Sequence, residues 1–228
     1  MLATQPDPQV ERERGLALHA AGELEQAIAC YSRALDASPL DALTIYARAL
    51  AHQARGTLDQ AIADYGRALE LRPDWAQVYH SRGTAYDQRD DFGRAIADYD
   101  RALACQPRFA QAYNDRGTAF SRRGDLGRAV ADFDHAIRLE PGYVLAYRNR
   151  GVVRHDLGEL EGAISDFSRA LELVPDFADV AFRRGLTHRQ RGDRAAARAD
   201  FVAALRVSTN PFVQQRLHEA LAELDASE

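Results

Sequence analysis

Apolar positions along this chain keep a helical period, and the whole pattern restarts every 34 residues. Between Trp75 and Pro107 the first half places Val78, Tyr79, Gly83 and Tyr86 on one helical face, and the second half places Phe92, Ala95, Ile96, Tyr99, Ala102 and Leu103 likewise. Two amphipathic helices joined by a short turn are predicted. Pro39, Pro73, Pro107, Pro141 and Pro175 mark the interval. Gly15, Ala49, Gly83, Gly117, Gly151 and Gly185 keep step with them in the first helices, and Ala27, Ala61, Ala95, Ala129, Ala163 and Ala197 in the second. Four residues after each of these alanines comes an aromatic: Tyr31, Tyr65, Tyr99, Phe133, Phe167 and Phe201.

A period of this length is the mark of stacked supersecondary units. Small residues on both helices let the backbones approach, and the aromatic fills the space beside them. No single hairpin can bury such a face, so each needs a neighbour. Gly22, Gly56, Gly124, Gly158 and Gly192 fall between the halves, where a positive φ ends the first helix; an Asp or Glu follows four of these five as a start signal for the second.

The arrangement resembles the tetratricopeptide repeat family, whose pattern is an aromatic, two residues, Leu-Gly, two residues, Tyr, then Ala, three residues, an aromatic, and finally Pro. Tyr113, Arg116-Gly117, Phe120, Ala129, Phe133 and Pro141 follow it. The resemblance implies an all-α fold, a right-handed superhelical α-solenoid of helix-turn-helix repeats with a C-terminal capping helix. Six repeats are expected at 8–41, 42–75, 76–109, 110–143, 144–177 and 178–211, with a leader at 1–7 and a capping helix and tail over 212–228.

Both ends carry their own signals. Asp7-Pro8 provides an N-cap carboxylate and a proline at the first helical position, and Glu11 replaces the aromatic there, a charge suited to an exposed end. After Asn210-Pro211 a last helix puts Val213, Leu217, Ala220, Leu221 and Leu224 on one face. It reads as a solubilising cap or, alternatively, as a docking segment for a partner's groove. The sixth unit is the least regular, with Arg194 and Arg198 in apolar slots. The chain is thus expected to be a complete, capped array.

One departure from the family is systematic. Where Leu usually precedes the Gly, this chain has Arg14, Arg48, Arg82, Arg116, Arg150 and Arg184, and Asp64, Asp98, Asp132, Asp166 and Asp200 sit one residue before the second-helix aromatics. Either these form a ladder of charge-assisted pairs between first and second helices, or both series are solvated and merely share the period.

Charge and composition narrow the function classes. The 34 acidic and 29 basic residues, all of the latter Arg, are interleaved without a basic stripe, which argues against a nucleic-acid partner. Every apolar run is too short for a membrane span, and Met1–Asp7 has neither basic nor apolar signal character, so a cytoplasmic location is expected. Cys30 and Cys105 lack redox or zinc spacing and read as small packing residues. No phosphate loop, nucleophile elbow or metal pair appears; no enzyme, metal or cofactor is expected. His155-Asp156 reads as a solvated pair.

In proteins resembling this one, first-helix side chains line an inner groove that receives peptide. Projected onto this sequence, that row holds Arg12, Tyr46, His80, Asn114, Arg148 and Phe182, flanked by Gln77, Gln111 and Asp179 and by Ser81, Asp115, Asn149 and Arg183. The candidate groove residues are Tyr46, Gln77, His80, Gln111, Asn114, Arg148, Asn149, Phe182 and Arg183, with Tyr46 and Phe182 as aromatic anchors and the amides meeting a peptide backbone. The carboxylate clamp of some family members is not reproduced: Asn149 and Arg183 match, but Val152 and Asp179 stand where Asn and Lys are needed, and Asp179 would repel a carboxylate. The expected function is a scaffold for a protein or peptide partner. Alternatives are a structural solenoid that associates weakly with itself, or the targeting region of a larger enzyme.

Overall fold

The computed structural model describes residues 7–226, and the regular structure of these residues is helical throughout. The leader at 1–7, apart from Asp7, and the last residues of the tail lie outside them. The helices are α1 (Pro8–Ala20), α2 (Leu24–Ala37), α3 (Ala42–Ala54), α4 (Leu58–Leu71), α5 (Ala76–Asp87), α6 (Phe92–Cys105), α7 (Ala110–Arg122), α8 (Leu126–Leu139), α9 (Val144–Asp156), α10 (Leu160–Leu173), α11 (Ala178–Arg191), α12 (Arg194–Val207) and α13 (Pro211–Ala226). They fall into two compact units, the first ending at Ala119 within α7 and the second running from Phe120. In the first, α1–α2, α3–α4 and α5–α6 form hairpins; in the second, α9–α10 and α11–α12 do so, with α13 on α12.

Each turn inside a hairpin needs one residue with positive φ. Gly22, Gly56, Gly124, Gly158 and Gly192 supply it at 78–88°, and in the third hairpin Asp90 takes the position at φ 58°. A Cβ is disfavoured there, so Asp90→Gly is expected to raise the unfolding free energy by about 0.5–1 kcal/mol in urea melts. Of the acidic residues that follow these turns, Asp91 and Asp193 cap their helices through backbone N–H groups, whereas Glu23, Asp125 and Glu159 make no side-chain cap.

The first-helix glycines are required by sterics. A Cβ at Gly15, Gly83, Gly151 or Gly185 would lie 2.5, 2.8, 2.7 or 2.6 Å from a ring carbon of Tyr31, Tyr99, Phe167 or Phe201. Those rings are among the largest fully buried or nearly buried side chains, and alanines flank them on the same helix.

The arginine ladder forms. Arg48, Arg82, Arg150 and Arg184 each hold the aspartate sixteen residues on, Asp64, Asp98, Asp166 and Asp200, through both Nε and Nη2 at 2.5–3.0 Å. The carboxylates are buried, with side chains only 3–8% exposed. The remaining guanidinium arm reaches the second helix of the preceding hairpin: Arg48 Nη1 donates to Ser32 Oγ at 3.1 Å, Arg116 Nη1 to Asp100 at 2.5 Å, Arg184 Nη1 to Ser168 Oγ at 3.0 Å, and Arg150 Nη1 to Asp134. Gly66 occupies that position behind Arg82 and offers no side-chain acceptor. One planar cation with several donors therefore ties a hairpin internally and to its predecessor, a geometry lysine could not supply.

The first hairpin replaces this pair with another. Glu11 is buried rather than exposed, because Arg33 Nε and Nη2 donate to its Oε2 at 3.0 and 2.7 Å, and Arg33 also reaches Cys30 Sγ. Cys30 is a buried packing residue as expected, but Cys105 is exposed at the end of α6.

The last helix, α13, packs on α12. Leu217, Ala220 and Leu224 are buried against Phe201, Ala204, Ala181 and Ala197. On its far side Gln215, His218 and Glu219 are exposed and stand in phase with Ala181, Arg184 and Gly185 of α11. Arg194 and Arg198, irregular in sequence, hold α13: Arg194 donates to the Leu224 carbonyl and Arg198 pairs with Asp225.

Candidate functional site

The first-helix row is built by the fold as a chain of linked side chains within each unit. In the first unit Arg12 Nη1 donates to Asp41 at 3.0 Å, and Tyr46 Oη lies 3.3 Å from Ser81 Oγ. His80 Nε2 lies 2.8 Å from Asp115 Oδ2, and Asn114 donates to the same carboxylate at 3.0 Å. In the second unit Arg148 Nε donates to Asp179 at 2.7 Å and Nη1 to Asn149 Oδ1 at 3.0 Å, while Arg183 Nε donates to both Asp179 oxygens.

Each candidate residue takes a distinct place. Gln77 and Gln111 are exposed, and Gln77 donates across to Gln106 at 3.2 Å. Tyr46 is half-buried, its ring 5.0 Å from Trp75 and 5.9 Å from Tyr65. His80 is half-buried with its ring 4.9 Å from Phe109 and 5.6 Å from Tyr99. Asn114 is 4% exposed, so its amide serves packing rather than open presentation. Arg148, Asn149 and Arg183 are partly exposed around Asp179. Phe182 is half-buried, 5.7 Å from Phe201, with the Arg216 guanidinium 5.1 Å above its ring.

Electrostatics correct one expectation. Burial pushes the Asp179 carboxyl up, yet hydrogen bonds and charge from Arg148 and Arg183 hold it below the usual carboxylate range. It is an ionised acid matched by two cations and would not present a net repulsive charge to a carboxylate. His155 also differs from its reading as a solvated partner of Asp156: its Nδ1 lies 3.0 Å from Thr187 Oγ1 of the following first helix. Burial lowers the pKa of His52 and His188, favouring their neutral forms.

Sequence reasoning missed two features. One is the cross-linking of neighbouring rows, whose signal was present as complementary types 29 or 35 residues apart: Arg12 with Asp41, Tyr46 with Trp75 and with Ser81, His80 with Phe109 and with Asp115. The other is a cavity of about 400 Å³ in the second unit, walled by Phe177, Phe182, Val207, Phe212, Val213 and Arg216 among others. Among the described residues no cluster of His, Cys, Asp or Glu is placed to hold a metal ion, and no helix is long and apolar enough to cross a membrane.

Helical hairpins, each closed by a glycine–ring contact or a repeating Arg–Asp pair, define a helical-repeat protein. Models described as tetratricopeptide repeat match residues 83–143 and 114–178, and a TPR repeat model matches 15–56 and 54–90. The chain belongs to the tetratricopeptide repeat family. No curated protein sequence matches it significantly. Among solved structures, PilW, a widely conserved type IV pilus biogenesis factor, is 20% identical at a TM-score of 0.82, covering 92% of this chain and 97% of PilW. YrrB, a TPR protein with an unusual peptide-binding site, is 21% identical at 0.67 over 83% of this chain and 97% of its own. MamA is 24% identical at 0.68 over 75% and 94%. At these identities the likeness is one of fold.

Proposed function

We propose that this protein is an interaction scaffold that takes a peptide or partner protein on the face presented by its first helices. The observation that carries the reading is the exposure of Gln77 and Gln111 beside side chains already held by hydrogen bonds, Tyr46 with Ser81 and His80 with Asp115. Amides held on such a surface offer donors and acceptors to an extended backbone with little ordering cost. The peptide-binding site of YrrB, a protein of the same fold, supports it. A cytoplasmic setting goes with this proposal, since Cys30 is a buried free thiol.

Peptides selected from a phage-displayed library on the full chain provide the test. Their affinity, read by fluorescence anisotropy, is expected to fall about tenfold in the double variant Gln77→Ala/Gln111→Ala, about 1.4 kcal/mol. Both side chains are exposed, so the melting temperature should stay constant. Unchanged affinity would refute the assignment of this face.

A further inference from the structure

The cavity in the second unit has a counterpart in earlier repeats, where it is filled. A first-helix row residue there meets the residue 29 positions later, at the start of the next repeat. Tyr46 has the Trp75 ring 5.0 Å away, and His80 has the Phe109 ring 4.9 Å away. For Phe182 the corresponding residue is Pro211, which has no ring to offer. The space of about 400 Å³ opens beside Phe182, Phe177, Val207, Phe212 and Val213, and Phe212 beside it is 67% exposed.

Charge around the cavity is unbalanced. Arg148 and Arg183 share the single carboxylate of Asp179. Arg216 lies over the Phe182 ring and pairs with no carboxylate among the described residues. Asp179 and Arg216 are the charged residues of the cavity wall, and Arg148 and Arg183 stand behind Asp179, so the surroundings carry an excess of positive charge that complements an acidic ligand.

We infer that this cavity is a seat for an aromatic side chain of a partner polypeptide, one with acidic residues next to the aromatic. The inference rests on the scaffold reading and adds to it the chemistry of the anchor. An incoming ring would pack against Phe182 as the tilted Trp75 ring packs against Tyr46, in an apolar pocket whose burial of a large ring is the usual basis of a binding hot spot. Carboxylates beside it would meet Arg216 and the Arg148–Arg183 pair. The chain's own segment at 174–180, which runs into α11, has this composition, Val-Pro-Asp-Phe-Ala-Asp-Val, and so serves as a probe.

A fluorescein-labelled peptide of that sequence should bind the full chain, with affinity falling at least about tenfold when its phenylalanine is replaced by alanine and severalfold when its aspartates become asparagines. Pro211→Phe restores the missing ring from within and should abolish binding while raising the melting temperature. Ala178→Phe, which fills the cavity from α11 and leaves the sequence of α13 unaltered, should also abolish it. Folding of each variant is checked by circular dichroism; should one fail to fold, the other decides. Binding that survives a folded, plugged variant overturns the seat, as does a probe indifferent to loss of its ring. If library-selected peptides stay sensitive to Gln77→Ala/Gln111→Ala in the plugged variants while the probe never binds, the seat falls and the scaffold reading stands.

Discussion

Asp166→Ala is expected to lower the unfolding free energy by about 3–5 kcal/mol, because it removes the buried anion that two part-buried guanidinium groups share. Its carboxylate is 3% exposed and accepts from Arg150 twice and from Arg154 once. Two cations therefore lose a partner in one substitution. The size of the loss does not mean that the pair is worth that much relative to an apolar pair. Taking two charges from water costs nearly as much as their attraction returns, so Arg48→Leu/Asp64→Leu, which restores the residue the family uses at the first of these positions, is expected to fall within about 1–2 kcal/mol of the parent. Equilibrium urea unfolding measures both. A single-site loss under 1 kcal/mol would return the ladder to the rank of surface ion pairs.

Substituting glycine by alanine should change stability with opposite sign at two helical positions. At Gly151 the new methyl would sit 2.7 Å from Phe167 Cε1, and that ring is 1% exposed with nowhere to retreat. Overpacking of about 1–3 kcal/mol outweighs the roughly 1 kcal/mol of helix propensity that alanine contributes, so Gly151→Ala should destabilise. At Gly66 the nearest atom outside the helix is Arg82 Nη1 at 3.8 Å, an ordinary contact, and Gly66→Ala should stabilise by up to about 1 kcal/mol. The natural Ala49, fully buried in the same slot as Gly151, shows that a repeat can adjust to a methyl when its neighbours are chosen with it. Thermal melts of the two variants shifting in the same direction would refute the steric account.

The fold was legible because each element repeats its instructions. A helical face read once at Val78, Tyr79 and Gly83 is confirmed at every 34-residue step, so local ambiguity averages out. Even the ladder was visible, since a fixed phase of Arg against Asp leaves few geometries. The site was less legible for the same reason. Period tells which side chains share a row, but not whether they point to solvent or to each other. Asn114 counted as an open amide and is buried; Asp179 counted as a repulsive charge and is held by two arginines. Glu11 and His155 were read by exposure alone, and each found a partner that sequence distance concealed, 22 and 32 residues away. Pro211 was noticed as a helix start, and its missing ring became meaningful only once Trp75 and Phe109 were seen seated on Tyr46 and His80.

The reach of the ladder arginines has a bearing on how such a chain changes over generations. Arg48, Arg150 and Arg184 contact residues sixteen positions ahead and sixteen behind. Both partners recur with the 34-residue period, so a whole repeat gained or lost by unequal recombination brings matching ends to the new junction. Beside these three arginines the forward partner stays an aspartate, Asp64, Asp166 and Asp200, which carries the buried charge. The backward partner is free to drift, and has done so, through Ser32, Gly66, Asp100, Asp134 and Ser168. Length in this array is thus an inheritable variable that selection can adjust without redesigning a joint.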